Sequence, residues 1–553
     1  MIKLRFTILL IAGFVSFNLM AQPELEEQQN ADFEILKNLE LFELVYKQVD
    51  LNYVDEPNPG ALMKAAIDAM LYELDPYTTY IPESRIEDYK LMSTGQYGGI
   101  GAIIRQSDGE VMIIDPHEGF PAQKSGLIAG DVFVEINGKS VENLTSSEVS
   151  DKLKGKPGTE LTVKVSRNGE LISTKLVREE IKFSPVPYSG MVDEKIGYIK
   201  LSSFTKTASE DVKRAFIGLK KDNGMEKLIF DLRGNGGGLV VEAVKIVNMF
   251  VDKGTEIVSI RGRDEAVNKT YTAFEKEMDT EMPIVVLVDA GSASASEIVS
   301  GALQDLDRAV ILGQTSFGKG LVQRPLDLKY NAKIKVTIAK YYTPSGRCIQ
   351  KLDYSNRTVG DNAGEISDSL LNVFKTKNGR DVIDGRGVEP DVRIDEKEYS
   401  VLTGTIVIKN ILFDYATKFQ RSNPTIAGSI EFKVTDEIYQ DFTNYVIEQD
   451  FEYTTMSLDL MNKLEEATER EDSYDGAKAE FEALLKKLEP SKENDLVKYK
   501  NEIIPILEEE IVGRYYYQKG RIMHGLVQDE FILEAIEILN DRARYKTVLN
   551  LEN

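Results

Sequence analysis

At 553 residues the chain is long enough for several domains, and its 42% hydrophobic, 29% charged composition is that of globular protein. A net charge of −24 argues against a nucleic-acid partner, whose phosphates need a basic surface, and speaks of solubility more than of function. One cysteine, Cys348, excludes an internal disulfide and is expected to be buried and inert, and the zinc motif H-E-x-x-H is absent.

The first 21 residues have the pattern of an export signal. Lys3 and Arg5 precede an apolar run from Phe6 to Met20, and small Ala21 is followed by Gln22. As a helix this run spans about 22 Å, short of the roughly 30 Å of a bilayer's hydrocarbon core. Residues 1–21 are therefore expected to be a cleaved signal peptide that delivers the chain to the periplasm, with membrane association only if the signal is retained. No cysteine stands at the cleavage site to carry a lipid.

Residues 22–88 read as a helical segment. Ile35, Leu39, Phe42, Tyr46 and Val49 recur at steps of four and three. A second helix follows Asn58-Pro-Gly60 and stops at Asp75-Pro76.

From 89 to 181 the texture changes to short strands and glycines. Gly98-Gly-Ile-Gly-Ala102 opens this module, Asn137-Gly138 and Asn168-Gly169 mark turns, and Ser147 to Leu153 reads as a short helix.

Residues 182–395 alternate strand and helix, which argues for an α/β core. Lys227-Leu-Ile-Phe-Asp231 is a buried strand running into Arg233-Gly-Asn-Gly-Gly-Gly238. Pro283-Ile-Val-Val-Leu-Val-Asp289 is another, followed by a helix from about Ser294 to Leu306. A capping box at Thr207-x-x-Glu210 is expected to open an earlier helix. Residues 396–553 are helical and charge-rich. Phe531, Ala535, Ile538 and Leu539 share one helical face there, and the segment is read as a packing or oligomerisation domain.

Chemistry concentrates in 291–323. Ser294, between two alanines where a strand turns into a helix, could merely cap that helix through Ser294-x-x-Glu297. The same position also offers free backbone N–H groups at a helix N-terminus to a developing oxyanion. Lys319, between two glycines, could serve as its base in a chain with only two histidines. A lysine base must be neutral, and lowering its pKa from about 10.4 to roughly 7.5 costs about 4 kcal/mol. Phe317, Leu321 and Val322 are candidates for the apolar walls, and Gln323 for the group that orients the amine. The glycines 236–238 can present an N–H to an oxyanion or can form only a tight turn. A phosphate-loop reading of Gly313-x-x-x-x-Gly318-Lys319 fails because residue 320 is glycine, not the serine or threonine that holds magnesium. The loop Gly99, Ile100, Gly101 can expose consecutive N–H groups to a peptide's terminal carboxylate.

Tyr97-Gly-Gly-Ile-Gly-Ala102 with Phe120-Pro-Ala-Gln-Lys-Ser-Gly126 and the stretch to Gly138 resembles a PDZ domain. Ser292-Ala-Ser-Ala-Ser-Glu297 with Phe317-Gly-Lys-Gly-Leu-Val-Gln323, together with Leu74-Asp-Pro-Tyr77 and Gly387-Val-Glu-Pro-Asp391, resembles the C-terminal processing (tail-specific) peptidases. The similarity runs from about residue 35 to 395. It implies a crotonase-like/ClpP-like superhelical α/β core (182–395) with an inserted PDZ domain (89–181), set between the N-terminal helical segment and the C-terminal helical extension. It implies Ser294 as nucleophile, Lys319 as general base, Gln323 as its orienter, and the amides of Gly237 and Ala295 as oxyanion donors, with the PDZ loop gripping the tail carboxylate. No cofactor and no metal are needed. The expected partners are proteins or peptides with apolar, unstructured C-termini, an activating adaptor, and further copies of the chain through the C-terminal helices. The rival readings are a non-catalytic PDZ adaptor on a dead protease core and a crotonase-like acyl-CoA enzyme, the latter disfavoured by the PDZ insert and the export signal.

Overall fold

The computed structural model describes residues 32–551 apart from positions 87–88, 90–93, 108, 356, 358–359, 361, 396 and 472. The expected signal peptide, 1–21, lies outside the described residues. The described residues up to Tyr80 form one compact unit and those from Ile81 onward a second. In the first, helix α1 (32–52) is followed by α2 (Pro59–Tyr72). The Asn58 side chain accepts the Ala61 N–H and Pro59 opens the first turn of α2, as helix starts favour. Asp75 folds the turn that follows: its carboxylate takes the N–H groups of Tyr77 and Thr78.

The second unit is mixed α/β in several parts. Its first part is a six-stranded antiparallel sheet, with β1 (Ala102–Ser107), β2 (Glu110–Pro116), β3 (Val132–Ile136), β4 (Glu160–Arg167) and β5 (Glu170–Val177) in that spatial order and the short strand Lys139–Ser140 paired to β3. Asn137-Gly138 and Asn168-Gly169 all take positive φ, as two-residue hairpin turns that match strand twist require. Alternate residues Leu161, Val163 and Val165 point inward onto Ile113, Phe133 and Val149, the last on helix α3 (Ser146–Leu153). Strands Gln96–Gly99 and Glu179–Lys182 pair where the chain enters and leaves.

The second part is a six-stranded sheet of β6 (Tyr188–Met191), β7 (Ile196–Lys200), β8 (Lys227–Asp231), β9 (Ile284–Val288), β10 (Val310–Gly313) and β11 (Val392–Arg393), in chain order. Only β6 runs antiparallel to its neighbour. The inner strands are continuous apolar runs because a parallel sheet buries both faces. On the front face Leu228, Phe230, Ile284, Val286 and Ile311 meet the crossover helices α4 (Ala208–Asp222), α5 (Val240–Asn248) and α6 (Ala295–Asp305). Thr207 stands at the start of α4, but its hydroxyl turns to Asp211, so the expected capping box is not made there. Strands Glu256–Gly262, Lys269–Thr272, Leu321–Asp327 and Lys333–Tyr342 belong to a further antiparallel sheet.

Beyond Ser400 the described elements are helices, with a core of their own around Ile406, Tyr415, Phe442, Leu507 and Ile511. The longest, α7 (Lys500–Gly525), breaks at Tyr517, whose φ of 53° and ψ of −161° are not helical. The last two, α8 (Glu530–Asn540) and α9 (Arg542–Val548), leave this bundle and cover the rear face of the six-stranded sheet. Ile532, Ala535, Ile538 and Leu539 pack there on Ile229, Val285, Leu287 and Leu312. The apolar face of α8 within the segment read as a packing or oligomerisation domain is thus occupied by the chain's own sheet. Among the described residues no helix is long and apolar enough to cross a membrane.

Candidate active site

The turn between β9 and α6 sets Ser294 at the helix cap with φ 56° and ψ −109°. That region is costly for a residue with a Cβ, of order 1–3 kcal/mol, and such strain collects at functional sites. Three serines alternate here, and their surroundings separate them. Ser292 is fully buried with its hydroxyl on the Leu232 carbonyl at 2.9 Å, and Ser296 is fully buried with its hydroxyl on the Asn235 carbonyl at 2.7 Å. Ser294 is only half-buried.

Glu297, one turn into α6, joins this turn to the lysine's. Its carboxylate is fully buried, and Oε2 accepts the backbone N–H of both Ser294, at 2.7 Å, and Lys319, at 3.0 Å. Oε1 accepts the Ser316 hydroxyl at 2.6 Å and the Gly318 N–H at 2.7 Å. Two donors on one oxygen bring the Ser294 and Lys319 backbones within a few ångströms of each other. Tyr341, from strand Lys333–Tyr342, makes a second tie: its hydroxyl lies 2.6 Å from the Lys319 carbonyl and 3.0 Å from that of Ser294. Burial pushes the Glu297 carboxyl up to about 7, against the pull of its four hydrogen bonds. The sequence pattern presents Glu297 only as a capping-box partner and carries no signal for Tyr341.

Lys319 is half-buried between two glycines that packing demands. A Cβ on Gly318 would come 2.5 Å from Lys351 Cβ, and one on Gly320 would come 2.9 Å from the Gln350 nitrogen. The chain then runs on as strand Leu321–Asp327, so no helix N-terminus follows the lysine as a phosphate loop needs. Of the expected apolar walls Leu321 is buried and Val322 half-buried, but Phe317 is 45% exposed. Gln323 is half-buried, and its Nε2 donates to Thr337 Oγ1 at 3.2 Å on the paired strand.

The glycine turn follows β8. Asp231 at the strand end is fully buried and accepts from the Tyr198 hydroxyl at 2.7 Å and from Arg233 Nη2 at 2.7 Å. Burial alone would raise its carboxyl, but the charges of Arg233 and Lys200 hold it below the usual carboxylate range. Asn235 stitches this turn to the serine's: its carbonyl takes the Ala293 N–H at 3.0 Å and the Ser296 hydroxyl. Gly237, at φ 100°, lies so close that a Cβ would come 2.8 Å from Ser294 Cβ and 2.7 Å from the Ala293 carbonyl oxygen. Its own N–H, expected to face an oxyanion, donates here to Asn235 Oδ1 at 2.9 Å. Ala295, the first residue of α6, belongs to the turn whose N–H groups have no intrahelical acceptor.

In the strand-rich module, Gly99, Ile100 and Gly101 lead into β1, which lies at an edge of its sheet. A Cβ on Gly101, at φ 70°, would come 2.4 Å from Phe120 Cβ. The carbonyls of Ile100 and Gly101 are tied to the Ala122 and His117 N–H groups, at 2.8 and 2.9 Å. A fixed glycine loop at the head of an edge strand is the geometry that peptide β-addition uses. Cys348, expected to be buried, is half-buried, and the burial it has pushes its thiol up, away from a reactive thiolate. Among the described residues no cluster of three or more His, Cys, Asp or Glu side chains is arranged to hold a metal ion.

Comparison with known proteins matches the chain to Peptidase family S41 over residues 195–356, to the PDZ domain over 98–177, and to the Probable PDZ-protease, C-terminal helical domain over 402–539. A carboxy-terminal-processing protease of Bartonella bacilliformis is 36% identical over 353 residues, which are 63% of this chain and 80% of that protein. A probable CtpA-like serine protease of Staphylococcus aureus is 35% identical over 368 residues, 66% of each protein. Among solved structures, the photosystem II D1 C-terminal processing protease shares 29% identity at a TM-score of 0.36, covering 64% of this chain and 92% of its own.

Proposed function

The chain belongs to peptidase family S41, as a PDZ-containing carboxy-terminal-processing protease, and from that premise we propose that it is an exported serine endopeptidase using Ser294 and Lys319. Apolar, unstructured protein C-termini are its substrates. The tail adds to the edge strand β1, with its carboxylate in the loop Gly99–Gly101. Ser294 Oγ attacks the scissile carbonyl carbon while the neutral Lys319 amine takes the hydroxyl proton. The tetrahedral oxyanion is met by the Ala295 N–H and by the glycine turn, where Gly237 turns its N–H from Asn235 to the substrate. Collapse breaks the peptide C–N bond, the lysine returns its proton to the leaving amine, and water hydrolyses the acyl-enzyme by the same route. Gln323, anchored through Nε2 to Thr337, keeps Oε1 to accept from the lysine amine. Export rests on residues 1–21 alone.

The observation that carries this reading is the shared Glu297 Oε2, which draws the Ser294 and Lys319 backbones to one point. The test is cleavage of an unfolded protein with an apolar C-terminus by purified wild type, Ser294→Ala and Lys319→Ala. Each substitution is expected to lower the rate by at least about 10³-fold. Undiminished cleavage by Ser294→Ala would overturn the assignment.

A further inference from the structure

Residues beyond 396 supply neither nucleophile nor base, yet α8 reaches the turn beside Ser294. Arg233 begins that turn. Its Nε and Nη2 lie 3.0 and 2.7 Å from the two oxygens of Asp231, and its Nη1 and Nη2 lie 3.1 and 2.8 Å from those of Asp529. The guanidinium also lies over the Phe531 ring, 4.8 Å from its centroid. Its side chain is 17% exposed, so the pair is screened from water far more than a surface ion pair.

Asp529 has two jobs that can be separated. It caps α8, its Oδ1 accepting the Phe531 N–H at 2.9 Å, and it holds Arg233. At the other end of α8, Asn540 accepts from Lys227 Nζ at 2.6 Å, where β8 begins. The helix thus lies along β8 as a splint, one end gripping the residue that opens the strand and the other the residue that opens the glycine turn. The lengths agree: eleven helical residues rise about 16 Å, close to the roughly 17 Å of a five-residue strand. Two residues past Arg233, Asn235 carries the bonds to Ala293 and Ser296, and Gly237 then rests against Ser294.

We propose that Asp529 is a positioning residue for the cleavage reaction: through Arg233 it sets the glycine turn against Ser294, which makes the C-terminal helical segment part of the catalytic unit. The proposal rests on the reading of Ser294 and that turn as nucleophile and oxyanion site. Serine caps helices nearly as well as aspartate but is too short and uncharged to hold Arg233, so Asp529→Ser keeps the first job and removes the second.

The test uses the full-length protein as wild type, Asp529→Ser, Asp529→Ala and Ser294→Ala. Four quantities are read: kcat, KM for an unfolded substrate, Tm, and the affinity of a peptidyl boronic acid, which forms a tetrahedral anionic adduct on the nucleophile. Asp529→Ser is expected to lower kcat about tenfold, part of the 10²–10³-fold that a whole oxyanion donor is worth. Boronate affinity should fall in step, with KM and Tm near wild type. If Asp529→Ser keeps kcat and boronate affinity within twofold while Asp529→Ala lowers only Tm, the residue is a helix cap and the proposal is overturned. An active Ser294→Ala instead removes the reading beneath it, so the two failures are told apart.

Discussion

The two faces of the six-stranded sheet are covered in different ways. The front is covered by helices that follow their strands directly: α4 after β7, α5 after β8, α6 after β9. The rear is covered by α8 and α9, which come more than 200 residues after β9. The same strands serve both, since Ile284, Val286 and Val288 face front while Val285 and Leu287 face rear. The front face carries Ser294, the proposed nucleophile, at the cap of α6, whereas the rear face carries the proposed support for the turn opposite it. The residues proposed for catalysis thus lie where strand and helix are adjacent in the chain, and the distant segment closes the core.

The sharpest way to break this comparison is at the front. Glu297→Gln puts an amide NH₂ against N–H donors that now meet a carboxylate oxygen. It is expected to cost on the order of 10²-fold in kcat/KM, the scale of an ångström's misplacement of reacting groups. Unchanged kinetics would show that the shared carboxylate does not set the site. Gly237→Ala forces a Cβ against the Ala293 carbonyl and Ser294, and should lower kcat at least about tenfold with the fold retained by circular dichroism. Rear and front can then be compared directly by urea unfolding. Ile538→Ala and Ile298→Ala, both fully buried on opposite sides, should each cost about 2–5 kcal/mol. A rear variant that costs nothing would mean α8 only rests on the sheet.

The smallest effect is a pH dependence. The Glu297 carboxyl holds its proton up to about 7 in the folded chain and up to about 4.5 when unfolded. The folded state therefore binds more protons between those values, and this group's contribution to stability is lost as pH rises through that window. Tm should fall more from pH 5 to pH 8 in wild type than in Glu297→Gln. A parallel fall in both would assign the slope to other groups.

The front half was legible in the sequence because its information is local. Buried runs such as 227–231 and 284–288, each followed by a helical period, announce a parallel sheet, and Ser294 and Lys319 stand out by spacing. Glu297 was visible but underread: Ser-x-x-Glu describes a cap, and nothing in that pattern tells that the same carboxylate also takes Ser316, Gly318 and Lys319. Tyr341 gives no signal, since a tyrosine in a strand is ordinary. The apolar stripe at 531, 535, 538 and 539 was plain, yet a stripe states that a helix is covered and not by what. Phe317, expected against the lysine, is nearly half exposed, because composition near a site does not fix the direction of a side chain.

The rear covering also orders events in time. Ribosomes add residues from the N-terminus, and parts of a chain fold as they emerge. Strands β7 to β10 and the whole Ser294–Lys319 neighbourhood are made long before residues 529–549. Until then Ile229, Val285, Leu287 and Leu312 lack their cover, and Arg233 lacks its second carboxylate. A chain whose sheet is covered on its rear face only by α8 and α9 is expected to reach competence after they dock, so that a half-made chain does not cut its neighbours. Chains ended at residue 528 should accumulate as a species that binds hydrophobic dyes and does not cleave. Adding residues 529–553 as a separate peptide should restore part of the activity.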